Sequence, residues 1–337
     1  MGALALGEPS DYALDPTRDL GAAPAPPRQD RVPTDGSFLI GHYRIVGKLG
    51  EGGMGVVYEA EQQNPRRRVA VKVVRGGQFV DASQVRMFQR EAETLARLEH
   101  PNIGSIYESG CTEDGRHFFA MELVKGETLD DYFQERPPAT SREELRFRLK
   151  MFRRLAEAVH YAHQRGVIHR DLKPANVIVT DESDIKVLDF GLARITEGDI
   201  AAATMITEVG VIKGTLPYMS PEQARGNPGE IDVRTDVYAL GVILYEMISG
   251  QLPIDLDGRS LPDVVRAICE QPPRSIRQTM RGSTRVDPDI ETSVGKALEK
   301  EAERRSASAA ELAQDVDRWL ASQPILARPP STMYQLR

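Results

Sequence analysis

The chain has 337 residues, of which 40% are hydrophobic and 28% are charged, a composition typical of a soluble globular protein with room for two lobes. Its formal net charge of −7 argues against a general affinity for nucleic acid or an anionic membrane surface, because both require an excess of lysine and arginine. The two cysteines, Cys111 and Cys269, lie far apart and suggest neither a disulfide framework nor a metal motif, which fits a reducing compartment.

No targeting or membrane-spanning segment is predicted. The first residues lack the basic and apolar regions of a signal peptide. The longest apolar run, 237–245, is far shorter than the roughly 20 residues that span a bilayer. We therefore expect a cytoplasmic protein without a membrane segment.

Both ends of the chain are predicted to be irregular. Residues 1–37 are rich in Pro, Ala and Gly and poor in β-branched and aromatic residues, so they cannot bury enough apolar surface to form a core. They are interpreted as a disordered leader, with an N-terminal docking arm as the alternative. The tail 321–337 is expected to be irregular as well.

From residue 38 the pattern becomes that of a folded domain. Apolar and polar residues alternate on both sides of a glycine cluster at 50–55, which predicts a hairpin, and strands follow at 66–76 and 117–124. A helix is predicted over 83–98, where Val85, Phe88, Ala92 and Leu95 share one face. Beyond Gly126 the pattern is mainly helical, with short strands at 176–180 and 185–190. We expect a small strand-rich lobe at 38–121, a connection at 122–126 and a larger helical lobe at 127–320.

The glycine cluster has G-x-G-x-x-G spacing at Gly50, Gly52 and Gly55. Residues without a Cβ allow backbone N–H groups to approach phosphates closely. The alternative is an ordinary flexible hairpin turn. A dinucleotide site would need a helix after the turn, whereas a strand is predicted here, and no G-K-[ST] completes a Walker A loop.

A lysine and a glutamate follow this cluster. Lys72 ends the strand "VAVK" and faces away from Val71 and Val73. Next to a phosphate-binding loop it would bind the α- and β-phosphates. The alternative is a lysine that simply faces solvent, as most single lysines in strands do. Glu91 lies on the following helix, where it either pairs with Lys72 or is a solvated surface charge.

Residues 169–176 read "HRDLKPAN", a concentration of charge that is unusual for a core segment or a simple capped turn. "DFG" follows at 189–191, "GTLPYMSPE" at 214–222 and "TDVYALGVILYEM" at 235–247. Over about residues 38–320 the sequence closely resembles the eukaryotic-type (Hanks-type) Ser/Thr protein kinases found in bacteria. The resemblance implies an α+β, bilobal protein kinase fold with an antiparallel N-lobe sheet and a mostly helical C-lobe. "SPE" replaces the "APE" of many relatives, a mild departure.

The resemblance assigns the catalytic roles. Asp171 would accept or orient the proton of the substrate hydroxyl, and Lys173 would stabilise charge on the transferring γ-phosphoryl group. Asn176 and Asp189 would supply oxygen ligands to Mg²⁺ (or Mn²⁺), with ATP as co-substrate. The Asp-x-Lys spacing, with Thr215, resembles the Ser/Thr-specific branch.

The resemblance also assigns an ATP site and three structural residues. Met121, which by itself would be interpreted as core, takes the gatekeeper position, and adenine would bind the backbone of Glu122 and Val124. Asp236 would anchor the catalytic-loop backbone, and Glu222 would pair with Arg305, although Arg304 remains an alternative partner. His169 is interpreted as structural. The remaining implied ATP-binding residues are Leu49, Gly50, Glu51, Gly52, Gly53, Met54, Gly55, Val56, Val57, Lys72 and Glu91.

We therefore expect a Ser/Thr protein kinase acting on protein substrates. The alternatives are a pseudokinase scaffold and a small-molecule kinase of similar fold. The kinase is expected to phosphorylate its own activation loop at Thr207, with Thr204 second, in a transient homodimer. Arg170, helped by Arg194, would bind the phosphothreonine. Otherwise both threonines are ordinary loop residues.

Overall fold

A computed structural model gives the fold, and it describes residues 38–52, 55–74, 90, 92–112, 115–136, 138–139, 141–190, 215–280 and 286–327. The leader 1–37 and residues 328–337 lie outside these ranges. Residues 321–327 contain neither helix nor strand.

The N-terminal part is a six-stranded antiparallel sheet with the order β1-β2-β3-β4-β6-β5. The predicted hairpin is confirmed, since β2 and β3 pair up to Gly52 and Gly55. The strands are β1 Leu39–Ile40, β2 Tyr43–Gly52, β3 Gly55–Gln63, β4 Arg66–Val74, β5 Ile106–Cys111 and β6 His117–Glu122.

From Val69 onwards strand β4 is buried on both faces, which explains the run of apolar residues that only Lys72 interrupts. Val69, Val71 and Val73 pack in an outer cluster with the aromatic ring of Phe118. Because side chains alternate along a strand, Lys72 projects to the opposite face, where Ala70 and Val74 join the main core. The strand therefore points a lysine towards the rest of the protein.

The C-terminal part is built from helices. They are α1 Leu129–Gln134, α2 Arg142–His163, α3 Pro221–Ala224, α4 Val233–Ser249, α5 Leu261–Glu270, α6 Ile276–Thr279, α7 Pro288–Ala297 and α8 Ala309–Leu320. Short 3₁₀ helices occur at Pro174–Asn176, Leu216–Tyr218, Pro228–Glu230 and Ala302–Arg304. Within the described residues, no helix combines the length and the apolar character that crossing a bilayer would require.

Helix α4 forms the centre of this part. It is buried along most of its length, as expected of a helix that is apolar on all sides. The Asp232 side chain caps its N-terminus by accepting a hydrogen bond from the Arg234 N–H. Gly250 ends it in the left-handed conformation, with φ of 66°, which glycine adopts without a steric penalty. A fixed central helix gives the neighbouring catalytic loop a rigid support.

A second, three-stranded antiparallel sheet positions the predicted catalytic residues. Its strands are β7 Glu127–Thr128, β8 Val177–Val179 and β9 Ile185–Val187, with β8 in the middle. The segment 169–176 leads directly into β8, and Asp189 follows β9. Because Val177, the first residue of β8, pairs with Val187, the last residue of β9, the two segments meet at the same end of these strands.

The predicted α+β, bilobal kinase fold is confirmed by this architecture. Of the helix predicted over 83–98, the described residues 90 and 92–96 are helical, and Ala92 and Leu95 are buried as expected. Val85 and Phe88 lie outside the described residues. The boundaries predicted for leader, hinge and lobes remain predictions.

Candidate active site

Lys72 forms an ion pair with Asp189, with 2.7 Å between Nζ and Oδ2. The lysine side chain is buried, whereas Asp189 is partly exposed. Glu91, its predicted partner, lies outside the described residues. The pair joins the N-terminal sheet to the segment after β9, so a cation and a carboxylate meet where the two parts of the molecule face each other.

Asp171 and Lys173 also form an ion pair. The Lys173 ammonium lies 2.8 Å and 3.1 Å from the two carboxylate oxygens of Asp171. It also donates a hydrogen bond to the Thr215 hydroxyl, at 2.7 Å. The lysine therefore joins the catalytic-loop carboxylate to the segment that precedes α3.

Asn176 is oriented by the same loop. Its Nδ2 donates a hydrogen bond to the Asp171 carbonyl at 2.7 Å and lies 3.3 Å from the Asp171 carboxylate. The amide oxygen of Asn176 takes part in neither contact. Its own carbonyl accepts a hydrogen bond from the N–H of Leu188, at 2.8 Å. This bond brings Asn176 next to Asp189, so two oxygen-bearing side chains lie at neighbouring backbone positions.

The backbone of this region is strained at two positions. Arg170 and Asp189 have φ of 67° and 63°, in the left-handed region that residues with a Cβ rarely adopt. Such conformations persist where the surroundings hold them, and they are concentrated at functional sites. Arg170 directly precedes Asp171, so the strain lies next to the predicted catalytic groups.

Asp236 of α4 holds the strained catalytic loop. Its carboxylate accepts hydrogen bonds from the backbone N–H groups of His169 and Arg170, at 2.7 Å and 2.9 Å, and lies 2.7 Å from His163 Nε2. Burial would raise the pKa of Asp236, but the hydrogen bond and charge of His163, together with the His169 N–H, hold this pKa below its usual value. The ionised form is the one that accepts all three contacts.

His169 connects the catalytic loop to the segment after β9. The ring is fully buried, with Nε2 lying 2.9 Å from the Leu188 carbonyl. It also packs against the ring of Phe190 at 4.7 Å between centroids. These contacts give His169 a structural position and do not aim it at the cleft.

The glycine hairpin combines one tightly packed glycine with two open ones. A Cβ on Gly55, whose φ is 148°, would lie 2.0 Å from the Val73 carbonyl oxygen, so only glycine fits there. A Cβ at Gly50 or Gly52 would meet no atom within 4 Å, which leaves space for a ligand beside the strand. Gly53 and Met54 lie outside the described residues. The remaining predicted residues of this hairpin are Leu49, Glu51, Val56 and Val57, all exposed or partly exposed on β2 and β3.

The predicted hinge begins at the end of β6. Met121 is buried and pairs with Ala70 of β4. The Glu122 N–H donates to the Ser105 carbonyl at 2.8 Å, and its carboxylate binds Lys186 of β9 at 2.7 Å. Val124 lies in the connection to β7.

Glu222 and Arg305 form a buried ion pair with two hydrogen bonds of 2.7 Å each. The side chains are 4% and 0% exposed, respectively. Arg304 instead pairs with Glu301 on the surface. Burial would raise the pKa of Glu222, but the hydrogen bonds and charge of Arg305 outweigh it and hold this pKa below its usual value.

Three residues at the site were missed by the sequence interpretation: His163, which contacts Asp236; Lys186, which contacts Glu122; and Gln223, which contacts the Arg170 carbonyl. The spacing of Ser220 and Gln223 is a capping-box signal, but it gives no information about the contact with Arg170. Thr204, Thr207 and Arg194 lie outside the described residues.

Comparison with known proteins agrees with this geometry. Residues 43–316 match the family model described as protein kinase domain. The chain is 40% identical over 278 residues to the serine/threonine-protein kinase pkn3 of Myxococcus xanthus, covering 81% of this chain and 49% of that protein. It is 36% identical over 289 residues to PknB of Mycobacterium leprae, covering 85% and 44%.

A solved structure of the same class is also similar. The PknI kinase domain of Mycobacterium tuberculosis superposes with a TM-score of 0.62 at 27% sequence identity, covering 85% of this chain and 98% of that one. The chain belongs to the protein kinase family, in its bacterial Hanks-type serine/threonine branch. It spans less than half the length of the two relatives named above.

Proposed function

We propose that this chain transfers the γ-phosphoryl group of ATP to serine and threonine hydroxyls of proteins. One observation carries the proposal: the Lys173 ammonium binds both the Asp171 carboxylate and the Thr215 hydroxyl. This brings a base, a cation and the segment that begins at Thr215, to which we assign binding of the protein substrate, to one point. Family membership supports the same activity.

The ATP phosphates would lie between the glycine hairpin and Lys72. The open space beside Gly50 and Gly52 allows close approach of phosphate oxygens to the backbone. Lys72 would then exchange part of its contact with Asp189 for the α- and β-phosphates. Because the Glu122 N–H is already bound to Ser105, an adenine amine would use the Glu122 carbonyl, and the Val124 backbone would complete the contact.

The donor set fits Mg²⁺ bound together with ATP. Asn176 and Asp189 offer an amide oxygen and a carboxylate, which are the hard ligands that this cation prefers. The described residues contain no group of three or more His, Cys, Asp or Glu side chains that could enclose a metal alone. Few protein ligands are typical of Mg²⁺ sites completed by substrate phosphates and water. When bound, Mg²⁺ would neutralise charge on the phosphates.

The remaining chemistry is positioning and charge stabilisation. Asp171 would orient the serine or threonine hydroxyl and accept its proton as the oxygen forms a bond to the γ-phosphorus. The bond to the β-γ bridging oxygen would break, and ADP would leave with the electron pair. Lys173 would stabilise the negative charge on the transferring group.

We also propose that the kinase phosphorylates its own activation loop in a transient homodimer, first at Thr207 and then at Thr204. A phosphothreonine carries about −1.5 to −2 charge. Arg170 stands directly before Asp171, so a phosphate bound there, with help from Arg194, would act on the catalytic loop.

The free thiols of Cys111 and Cys269 are compatible with the cytoplasm as the site of action.

A steady-state assay tests the proposal. The purified chain is incubated with ATP, Mg²⁺ and a generic protein substrate, with an excess of a chelator as one control and Asp171→Asn as the other. The proposal expects Mg²⁺-dependent phosphate transfer by the wild type alone. Binding of nucleotide without transfer would instead indicate a pseudokinase scaffold.

A further inference from the structure

We propose that Gln223 of α3 is a positioning residue for phosphoryl transfer, an inference that rests on the proposed kinase function. Its Nε2 donates a hydrogen bond of 2.6 Å to the carbonyl of Arg170. That carbonyl belongs to the peptide bond that joins Arg170 to Asp171. The contact therefore acts on the backbone next to the catalytic carboxylate.

This peptide needs support on both sides. Arg170 has φ of 67°, a conformation that costs free energy in a residue with a Cβ and persists only where its neighbours hold it. Asp236 of α4 holds the Arg170 N–H at 2.9 Å, and Gln223 holds its carbonyl. The strained residue is thus fixed at both polar groups by side chains from two different helices.

Gln223 is itself held in one orientation. It occupies the third position of α3 in a capping box: its Oε1 accepts a hydrogen bond from the Ser220 N–H at 3.1 Å, and its own N–H donates to the Ser220 hydroxyl at 3.4 Å. Ser220 is fully buried. The oxygen of the carboxamide therefore caps the helix, which directs the nitrogen to the catalytic loop.

The segment that contains Gln223 touches the catalytic loop at two points. Thr215, at its start, contacts Lys173, and Gln223, at its end, contacts Arg170. Releasing the second contact frees Arg170 to relax its backbone and moves Asp171. A misplacement of about 1 Å can cost on the order of 10²-fold in rate. The side-chain contacts described for Gln223 are with Ser220 and Arg170, and Gln223 is not among the residues proposed to bind ATP or Mg²⁺, so its loss should lower kcat and leave KM nearly unchanged.

The two roles of the carboxamide can be separated by a pair of variants. Gln223→Glu keeps an oxygen that accepts from the Ser220 N–H, and glutamate is common at this position of a capping box. It removes the donor and turns a second acceptor towards the Arg170 carbonyl. Ser220→Ala removes the hydroxyl of the cap, including its 3.2 Å contact with Gln223 Oε1, but keeps the Ser220 N–H that holds this oxygen and the Nε2 contact with Arg170.

The experiment measures kcat, KM for ATP, KM for a peptide substrate and Tm for the wild type and both variants. We expect Gln223→Glu to lose about tenfold to a hundredfold in kcat, in keeping with a small displacement, while both KM values stay within about threefold. Ser220→Ala should lower Tm and keep kcat within about threefold, since its Arg170 contact survives.

Equal kcat in the wild type and Gln223→Glu would overturn the inference while leaving the kinase function intact. A kcat that falls in Ser220→Ala as much as in Gln223→Glu would also overturn it, since the cap alone would then explain the effect. No turnover by the wild type would overturn the proposed function and the inference together. If Gln223→Glu melts below the assay temperature, Gln223→Ala is measured in its place and is judged by the same kcat comparisons with the wild type and Ser220→Ala.

Discussion

The Lys72 ammonium lies 2.7 Å from the Asp189 carboxylate, although the two residues are 117 positions apart in the chain. Lys72 comes from the middle of the N-terminal sheet, and Asp189 follows β9 in the second sheet. The pair links the two parts of the molecule across the space where ATP is proposed to bind. Both partners are proposed to contact ATP or its Mg²⁺, so nucleotide binding would rearrange this link.

Lys72→Met and Asp171→Asn should each give a folded protein with little activity. Methionine and asparagine preserve most of the side-chain volume. The charges left behind, on Asp189 and Lys173, are partly exposed and can be hydrated, so we expect only a small change in Tm. General-base contributions are about 10²–10⁴-fold, and the charged groups of the site act as a unit. Turnover and thermal melting are measured side by side. Activity above about a tenth of wild type, well outside that range, would contradict the role of the residue concerned.

Glu222→Ala should lower Tm strongly. The substitution leaves the buried Arg305 guanidinium without its carboxylate, at a cost of roughly 3–5 kcal/mol. Arg304→Ala is the matched control, because Arg304 is an exposed neighbour that pairs only with Glu301 among the contacts described, and exposed pairs contribute about 0–1 kcal/mol. Denaturant unfolding compares the two. Equal destabilisation by both variants would contradict the assignment of Arg305 as the buried partner.

The Glu222–Arg305 pair also predicts a pH dependence. The folded-state pKa of Glu222 lies below its ordinary value of 4.5, so its contribution to stability is fully present above that value and is lost as pH falls through the lower, folded-state pKa. The difference in unfolding free energy between wild type and Glu222→Gln should therefore be constant from about pH 6 to 8 and narrow only below about pH 4.5. A difference that widens as pH falls from 7 to 6 would mean that the folded-state pKa of Glu222 is raised above its ordinary value.

The activation loop should carry phosphate in the active enzyme. Mass spectrometry of recombinant wild type is expected to find phosphothreonine at Thr207 and at a lower level at Thr204, whereas the Asp171→Asn protein should carry none. A Thr204→Ala/Thr207→Ala double variant should lose most of its activity, since no phosphate could order the loop. Full activity of the double variant, or an unmodified loop in active wild type, would overturn this proposal.

Much of the fold could be predicted because the local patterns are strong. The alternation around the glycine cluster indicated β2 and β3, and the β-branched residues next to Lys72 indicated a strand with the lysine on the opposite face. The resemblance assigned Arg305 as the partner of Glu222 but left Arg304 as an alternative partner. Two adjacent residues have almost the same sequence context, and only the packing shows that Arg305 is buried while Arg304 is exposed.

The unpredicted contacts are tertiary. Gln223 meets a carbonyl 53 residues away, and His163 meets Asp236 across 73 residues. Neither residue type is unusual where it stands: a glutamine at the start of a helix indicates a cap, and a histidine at the end of one indicates a favourable dipole interaction. Their second partners depend on how α2, α3 and α4 pack around the catalytic loop, which no local pattern specifies.

The central claim, transfer of phosphate to protein hydroxyls by the site built around Asp171, is tested most directly by mapping the product. The purified chain is incubated with γ-labelled ATP, Mg²⁺ and a mixture of unrelated proteins, and the labelled residues are identified by mass spectrometry, with Asp171→Asn in parallel. The account predicts label on serine and threonine in the wild-type reaction and none in the variant reaction. Label confined to small molecules or tyrosine, or equal labelling by the Asp171→Asn protein, would contradict it.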